Sequence, residues 1–287
     1  MIPDRRLRPH YYIYGASFAL YGLLLVGSGA ALPGLFVLGA LALQVALTGR
    51  GRAAEALYYI VSMNLFFFAT KITIPLIRQG KADAALYALD RSLFAVPLEM
   101  LQALASPLLT DLLTVCYLLF GPVLLFSLVY YGFYDKRHTA AFYAGMFSCY
   151  GIGFFGYLLL PAEGPHFSYA AEVAQWLPAG PAFSFLDPLI KNGCTRSDAF
   201  PSLHVAISLY ILGFMRSRNR FWFRILLLPV CGLCLATVYL QYHYVIDTIA
   251  GAALAGVGLM TASAAGSREQ ELSRRRFVLP TETYIYS

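Results

Sequence analysis

Charge is what this chain has least of. Asp, Glu, Lys and Arg make up only 13% of its 287 residues, about half of the roughly 25% usual in a soluble domain. Hydrophobic residues reach 59%, and mean hydropathy is +0.63. So few charges cannot cover the surface of a soluble globule of this size. The same scarcity excludes a disordered chain, which needs low hydrophobicity, and a nucleic-acid binder, which needs a basic face. Cysteine is also rare: Cys116, Cys149, Cys194, Cys231 and Cys234 are the whole set, and only Cys194 falls in a polar segment, which argues against an intrachain disulfide. Cys231 and Cys234 form a C-x-x-C, but inside an apolar run with no second pair, and they read as buried thiols. Internal repeats and low-complexity segments are missing. What remains is long apolar runs of about 20 residues between charged breaks, which favour membrane-spanning helices over a barrel. The fold class expected is all-α: a polytopic membrane helix bundle.

Eight spans are predicted, near residues 11–29, 31–48, 56–77, 108–132, 140–160, 201–215, 225–242 and 244–264. The sixth is short and needs flanking residues to cross. The first is too long for a signal-peptide core and is followed at once by a second span. Cations then fall into register. Arg5, Arg6, Arg8, Arg50, Arg52, Lys136, Arg137, Arg216, Arg218, Arg220, Arg224, Arg268, Arg274, Arg275 and Arg276, fifteen of the 21 Lys and Arg, lie on one face. That face is expected to be cytoplasmic, with both termini inside and a bacterial inner (plasma) membrane as the location. Aromatic clusters at His10–Tyr12, Tyr130–Tyr134 and Phe221–Phe223 mark boundaries.

The opposite face carries two longer segments. Residues 78–107 hold an amphipathic stretch, Ala84, Leu86, Leu89 and Leu93 with Asp83, Asp90 and Arg91 between, which reads as a helix lying in the interface. Residues 161–200 form the longest loop, rich in Pro and Gly, of the kind that is functional or disordered.

Three polar clusters sit on this face: Pro161–His166, Cys194–His204 and Tyr242–Asp247. His243 and Asp247 are spaced i, i+4, which on a helix places a carboxylate one turn below an imidazole. It can then accept the ring N–H, set the tautomer and leave the other nitrogen as nucleophile or base. The plainer alternative is a buried pair that ties helices together. Gly251 continues that face and lets another helix approach. Pro201, Ser202, Leu203 and His204 read as a helix start whose free Ser202 and Leu203 N–H groups form an anion site, with His204 as a proton donor and Arg196 and Lys191 upstream as countercharge. Here the plainer alternative is an ordinary capped helix. Two histidines, a helix N-terminus and a carboxylate suggest phosphoryl chemistry. A zinc site is disfavoured, because His166 is the only other histidine on this face and Asp247 is better used on His243.

Phe200-Pro201-Ser202-Leu203-His204-Val205-Ala206, followed by His243-Tyr244-Val245-Ile246-Asp247-Thr248-Ile249-Ala250-Gly251, resembles the type 2 phosphatidic acid phosphatase superfamily, in a branch similar to inositol phosphorylceramide and sphingomyelin synthases. Further echoes are Leu159–Pro165 and Ala88–Phe94, and the likeness covers about residues 56–264. It implies a six-helix core over 56–264, two additional N-terminal transmembrane helices in 1–55 and a cytoplasmic basic tail over 265–287. It implies His243 as a nucleophile forming a phosphohistidine, Asp247 as its orienting partner, His204 as general acid, Ser202 as a phosphate ligand, and neither metal nor cofactor. The chain departs from the family where cations are usual. Lys71 and Arg78 have the first motif's Lys–Arg spacing, but Gln79 replaces its Pro and they stand two spans early, as interfacial snorkelling residues. At the motif's own place stand Glu163 and His166, and Thr237 and Gln241 occupy the region of the third motif's Arg. Arg196 is the expected substitute, His166 the second. With fewer cations, a singly charged phosphodiester fits better than a dianionic monoester.

The expected function is that of a lipid phosphatase or phosphotransferase acting on a lipid phosphate or phospholipid headgroup at the outer leaflet. Headgroup transfer to a second lipid is the rival within the class. A transporter or scaffold with a degenerate site is the rival outside it.

Overall fold

The computed structural model describes residues 9–47 and 52–278, so Arg5, Arg6, Arg8, Arg50 and the tail from residue 279 lie outside the described residues. Among the described residues every regular element is helical: α1 (Pro9–Gly27), α2 (Ala31–Leu47), α3 (Arg52–Ile77), α4 (Asp83–Ala103), α5 (Pro107–Leu118), α6 (Phe120–Val129), a π-helical turn at Tyr130–Tyr134, α7 (Thr139–Leu159), α8 (Pro165–Ser168), α9 (Ala170–Trp176), α10 (Pro181–Gly193), α11 (Leu203–Arg218), α12 (Arg220–Tyr239) and α13 (Val245–Val278).

Four stretches are long and apolar enough to cross a bilayer: Pro107–Tyr134, Thr139–Leu159, Arg220–Tyr239 and Val245–Ser267. Leu57–Phe67 and Ala69–Ile77, bent by 42°, make a fifth if taken as one span. α1 (19 residues) and α2 (17 residues) stand at the lower end of the length a crossing needs, and α11 (16 residues) just below it. The chain is a multi-pass membrane protein.

α7 is the central pillar, with 78% of its apolar window buried inside the protein. Gly145 makes this possible: a Cβ there would stand 2.5 Å from the Gly258 carbonyl of α13. On its other sides α7 meets α1 and α11, and Phe18, Tyr21 and Leu25 of α1 are buried in the same apolar cluster as Phe147 and Phe154. Gly251 plays the expected part between α13 and α11, since its Cβ would meet the Ser202 carbonyl at 2.5 Å. Helix ends follow local chemistry: Ser106 caps α5 through the Leu109 N–H ahead of Pro107, and Asn219 caps α12 through the Trp222 N–H.

Two segments differ from expectation. The 161–200 loop folds into α8, α9 and α10, because Pro165 and Pro181 each occupy a first helical turn, where a missing N–H costs nothing. In α4 the amphipathic pattern runs inside out. Leu89 and Leu93 are exposed, whereas Asp83 and Asp90 are buried against the protein. The helix packs through its acids and Leu86 and presents Leu89 and Leu93 outward, a face suited to lipid.

Gly145→Val should lower stability by about 2 kcal/mol, the usual cost of overpacking. Gly256→Ala, where a Cβ meets nothing within 4 Å, should be neutral or stabilising. Thermal unfolding of the two variants in detergent checks the pair.

Candidate active site

His243 does not stand on a helix. It ends a tight turn after α12, entered through Gln241 in the left-handed region (φ 61°), and α13 begins only at Val245. The turn swings the ring toward α11, where His243 Nε2 lies 3.4 Å from His204 Nδ1. His243 is 4% exposed, and its Nδ1–H donates to the Ala199 carbonyl at 2.9 Å. That bond sets the tautomer and leaves Nε2 as the nitrogen with a lone pair.

The expected role of Asp247 therefore changes. With His243 outside the helix, i, i+4 spacing brings Asp247 Oδ2 only to 3.7 Å from Nδ1, beyond hydrogen-bond distance. The same oxygen accepts the Tyr244 N–H at 2.9 Å, closing the first turn of α13 from within. Asp247 Oδ1 is buried and has no hydrogen-bond partner.

The anion site predicted at Ser202 and Leu203 is altered in the same way. Ser202 is the N-cap of α11: its Oγ accepts the Val205 N–H at 3.4 Å, and its own N–H donates to the Asp247 carbonyl at 3.0 Å. Pro201 precedes the helix and does not open it. These contacts weld the start of α11 to the start of α13, which is why the histidines of two distant motifs converge. His204 itself is half-buried, stacked on Tyr117 with centroids 4.7 Å apart and tilted against Phe120 at 4.5 Å.

The three remaining expected phosphate ligands are occupied elsewhere. Glu163 pairs with Lys81. His166 is buried with both ring nitrogens engaged, Nδ1 with the Leu240 carbonyl at 3.0 Å and Nε2 with Asp187 Oδ1 at 3.0 Å. Lys191 reaches Asp187 Oδ2 at 2.6 Å, and the Tyr242 hydroxyl donates to Oδ1. Burial pushes the Asp187 carboxyl up, but hydrogen bonds from His166, Lys191 and Tyr242 outweigh it and hold the group at about 2. Arg196 is exposed, in the left-handed region (φ 65°), with its guanidinium 4.0 Å above the Phe167 ring. Arg78, expected to snorkel, instead binds the Leu158 and Leu159 carbonyls at 3.4 and 2.6 Å and caps α7. Among the described residues no three His, Cys, Asp or Glu side chains gather as a metal site.

Sequence reasoning did not assign the groups that hold this geometry. Asp83 accepts the N–H groups of Glu163 and Gly164 at 3.0–3.1 Å and the Tyr244 hydroxyl at 2.9 Å. Asp90 accepts Val245 N–H at 2.6 Å and Ile246 N–H at 2.9 Å, a carboxylate set at the N-terminus of α13. The signal was present, as two acids inside an amphipathic stretch, but acids there read as a solvated face. Tyr117 carried no signal at all.

The sequence model of the PAP2 superfamily matches residues 84–261. No curated protein and no solved structure matches the chain.

Asp83→Ala should strand three donors and cost about 3 kcal/mol of stability, at about 1–3 kcal/mol per unpaired buried group with partial relaxation, read as a fall in unfolding temperature. Asp187 has a folded value below its ordinary 3.8, so its contribution is complete above that value and is lost as pH falls through about 2. Unfolding temperature measured between about pH 4 and pH 2 should therefore fall less steeply in Asp187→Asn than in the wild type.

Proposed function

The chain belongs to the PAP2 superfamily, which makes it a phosphatase-type phosphoesterase, and we propose that it acts on a lipid phosphate or phospholipid headgroup at the outer leaflet of the plasma membrane through a phosphohistidine. Both termini would lie inside and the site outside, following the cation register. One observation carries the reading: two imidazoles from separate motifs approach to 3.4 Å, with His243 Nε2 facing His204.

His243 Nε2 attacks phosphorus, and the P–O bond to the leaving group breaks as protonated His204 gives its proton to the departing oxygen. A gap of 3.4 Å is a hydrogen-bond gap with no room for a phosphoryl group, so substrate parts the rings. Phosphorylation at Nε2 with Nδ1–H retained leaves the ring cationic, and Asp247, with its unpartnered oxygen, balances that charge. Neutral His204 then takes a proton from water, the hydroxide oxygen bonds to phosphorus, and the P–N electrons return to His243. A lipid hydroxyl in place of water turns the same intermediate into headgroup transfer. The apolar walls beside His204 (Leu118, Phe120, Leu124) could seat such an acceptor.

His243→Ala should abolish turnover and trapping of an acid-labile, base-stable phosphate label. His204→Ala should slow turnover by about 10²–10⁴-fold, the usual share of general acid catalysis. Both variants should remain folded by detergent gel filtration. Full activity in either variant, or no trapped label in the wild type under turnover, overturns the reading and favours a transporter or scaffold.

A further inference from the structure

His204 stands on the wall of a cavity of about 320 Å³ shared by α3, α5, α6, α7 and α10. Three tyrosines line it with His204: Tyr117 of α5, and Tyr150 and Tyr157 of α7. All three are more than nine-tenths buried, at 5%, 6% and 2% exposure. Yet no protein acceptor among the described residues takes a hydrogen bond from any of their hydroxyls. The other polar side chains of the wall offer little to an anion. Asn64 donates to the Ile60 carbonyl at 2.7 Å, the Cys194 thiol donates to the Ile190 carbonyl at 3.3 Å, and Asp198 is a carboxylate. The charges of Arg196 and Lys71 act on Cys194, but both residues are exposed and neither lines the cavity. Unspent O–H donors in an apolar enclosure are costly until a group with several acceptor oxygens takes them. A phosphoryl group is such an acceptor.

Helix geometry separates the three tyrosines. Side chains lean toward the N-terminus of their own helix. α7 and α11 run in opposite directions, since Gly156 meets Pro201 and Gly153 meets Leu203. Tyr157, near the end of α7, therefore leans inward to the level of His204, and His204 leans outward to meet it. Tyr117 reaches His204 directly, with its ring stacked on the imidazole at 4.7 Å. Tyr150 starts two turns, about 10 Å, deeper than Tyr157 and leans deeper still.

We infer that Tyr117 and Tyr157 are substrate-binding residues, whose hydroxyls donate to the non-bridging oxygens of the phosphate as His243 attacks it. They give the phosphate uncharged donors from inside the cavity. The inference rests on the phosphoesterase reading of the two histidines and adds two residues that touch its substrate.

The test uses the full-length protein in mixed micelles with phosphatidic acid, phosphatidylcholine, phosphatidylethanolamine and phosphatidylglycerol of one acyl composition. Diacylglycerol release is the common readout, and the fastest lipid is carried forward. Each tyrosine is replaced by Phe, which keeps the ring and removes only the hydroxyl. Tyr117→Phe and Tyr157→Phe should each lower kcat/KM at least tenfold, the usual effect of losing one donor to a charged acceptor. Each should also raise the inhibition constant of orthovanadate, a phosphate mimic without a lipid chain, by a similar factor. Tyr150→Phe should leave both quantities near the wild-type values, and all three variants should keep the wild-type unfolding temperature. Wild-type kinetics in Tyr117→Phe or in Tyr157→Phe overturn the inference and leave the phosphoesterase reading intact. An equal fall in Tyr150→Phe also overturns it, because that marks altered packing of the cavity and not a lost donor. Turnover of none of the lipids, with no label on His243, brings down both.

Discussion

Buried aspartates that accept main-chain N–H groups hold the site together. Asp83 takes the N–H groups of Glu163 and Gly164, Asp90 those of Val245 and Ile246, and Asp247 that of Tyr244. In a chain with so little charge these carboxylates are not used in surface ion pairs. Turns and helix starts next to hydrocarbon leave donors that water cannot reach, and each unsatisfied donor is costly there. An ionised acceptor gives the strongest available replacement bond and tolerates two donors at once. Gly164 shows how close the approach must be: it has φ 89°, and a side chain on it would run into the Tyr242 carbonyl.

The histidine pair depends on this clamp more than on any contact of its own. Its short distance arises because the Ser202 N–H reaches the Asp247 carbonyl and Gly251 admits the Ser202 backbone, so that α11 and α13 start from one junction. His166 braces the same turn from behind. Its N–H donates to the Gln241 carbonyl at 2.6 Å, and its ring lies 4.5 Å from that of Tyr242. A residue expected to hold phosphate thus holds the backbone that carries His243.

Charge around the site is organised so that cations are consumed locally. Lys81, Arg78 and Lys191 each answer a carboxylate or a helix end, and Arg196 lies over an aromatic ring. This differs from the cation-rich arrangement that the family resemblance implies.

Composition and periodicity were enough to read a helical membrane protein, the rough position of most helices, and the pairing of His204 with His243. Each of these follows from information local in the chain: apolar run length, turn residues, and motifs carried within a few positions. The carriers of the geometry were illegible for the opposite reason. Whether Asp247 faces an imidazole or a backbone N–H depends on where α13 begins, and that is decided by Asp90, which lies 155 and 156 positions away from the N–H groups it accepts. Whether the acids of α4 face water or protein depends on which neighbour covers them, and an amphipathic pattern is the same in both cases. Partner choice among buried polar groups is a long-range property of packing, so it was settled only when the helices came together.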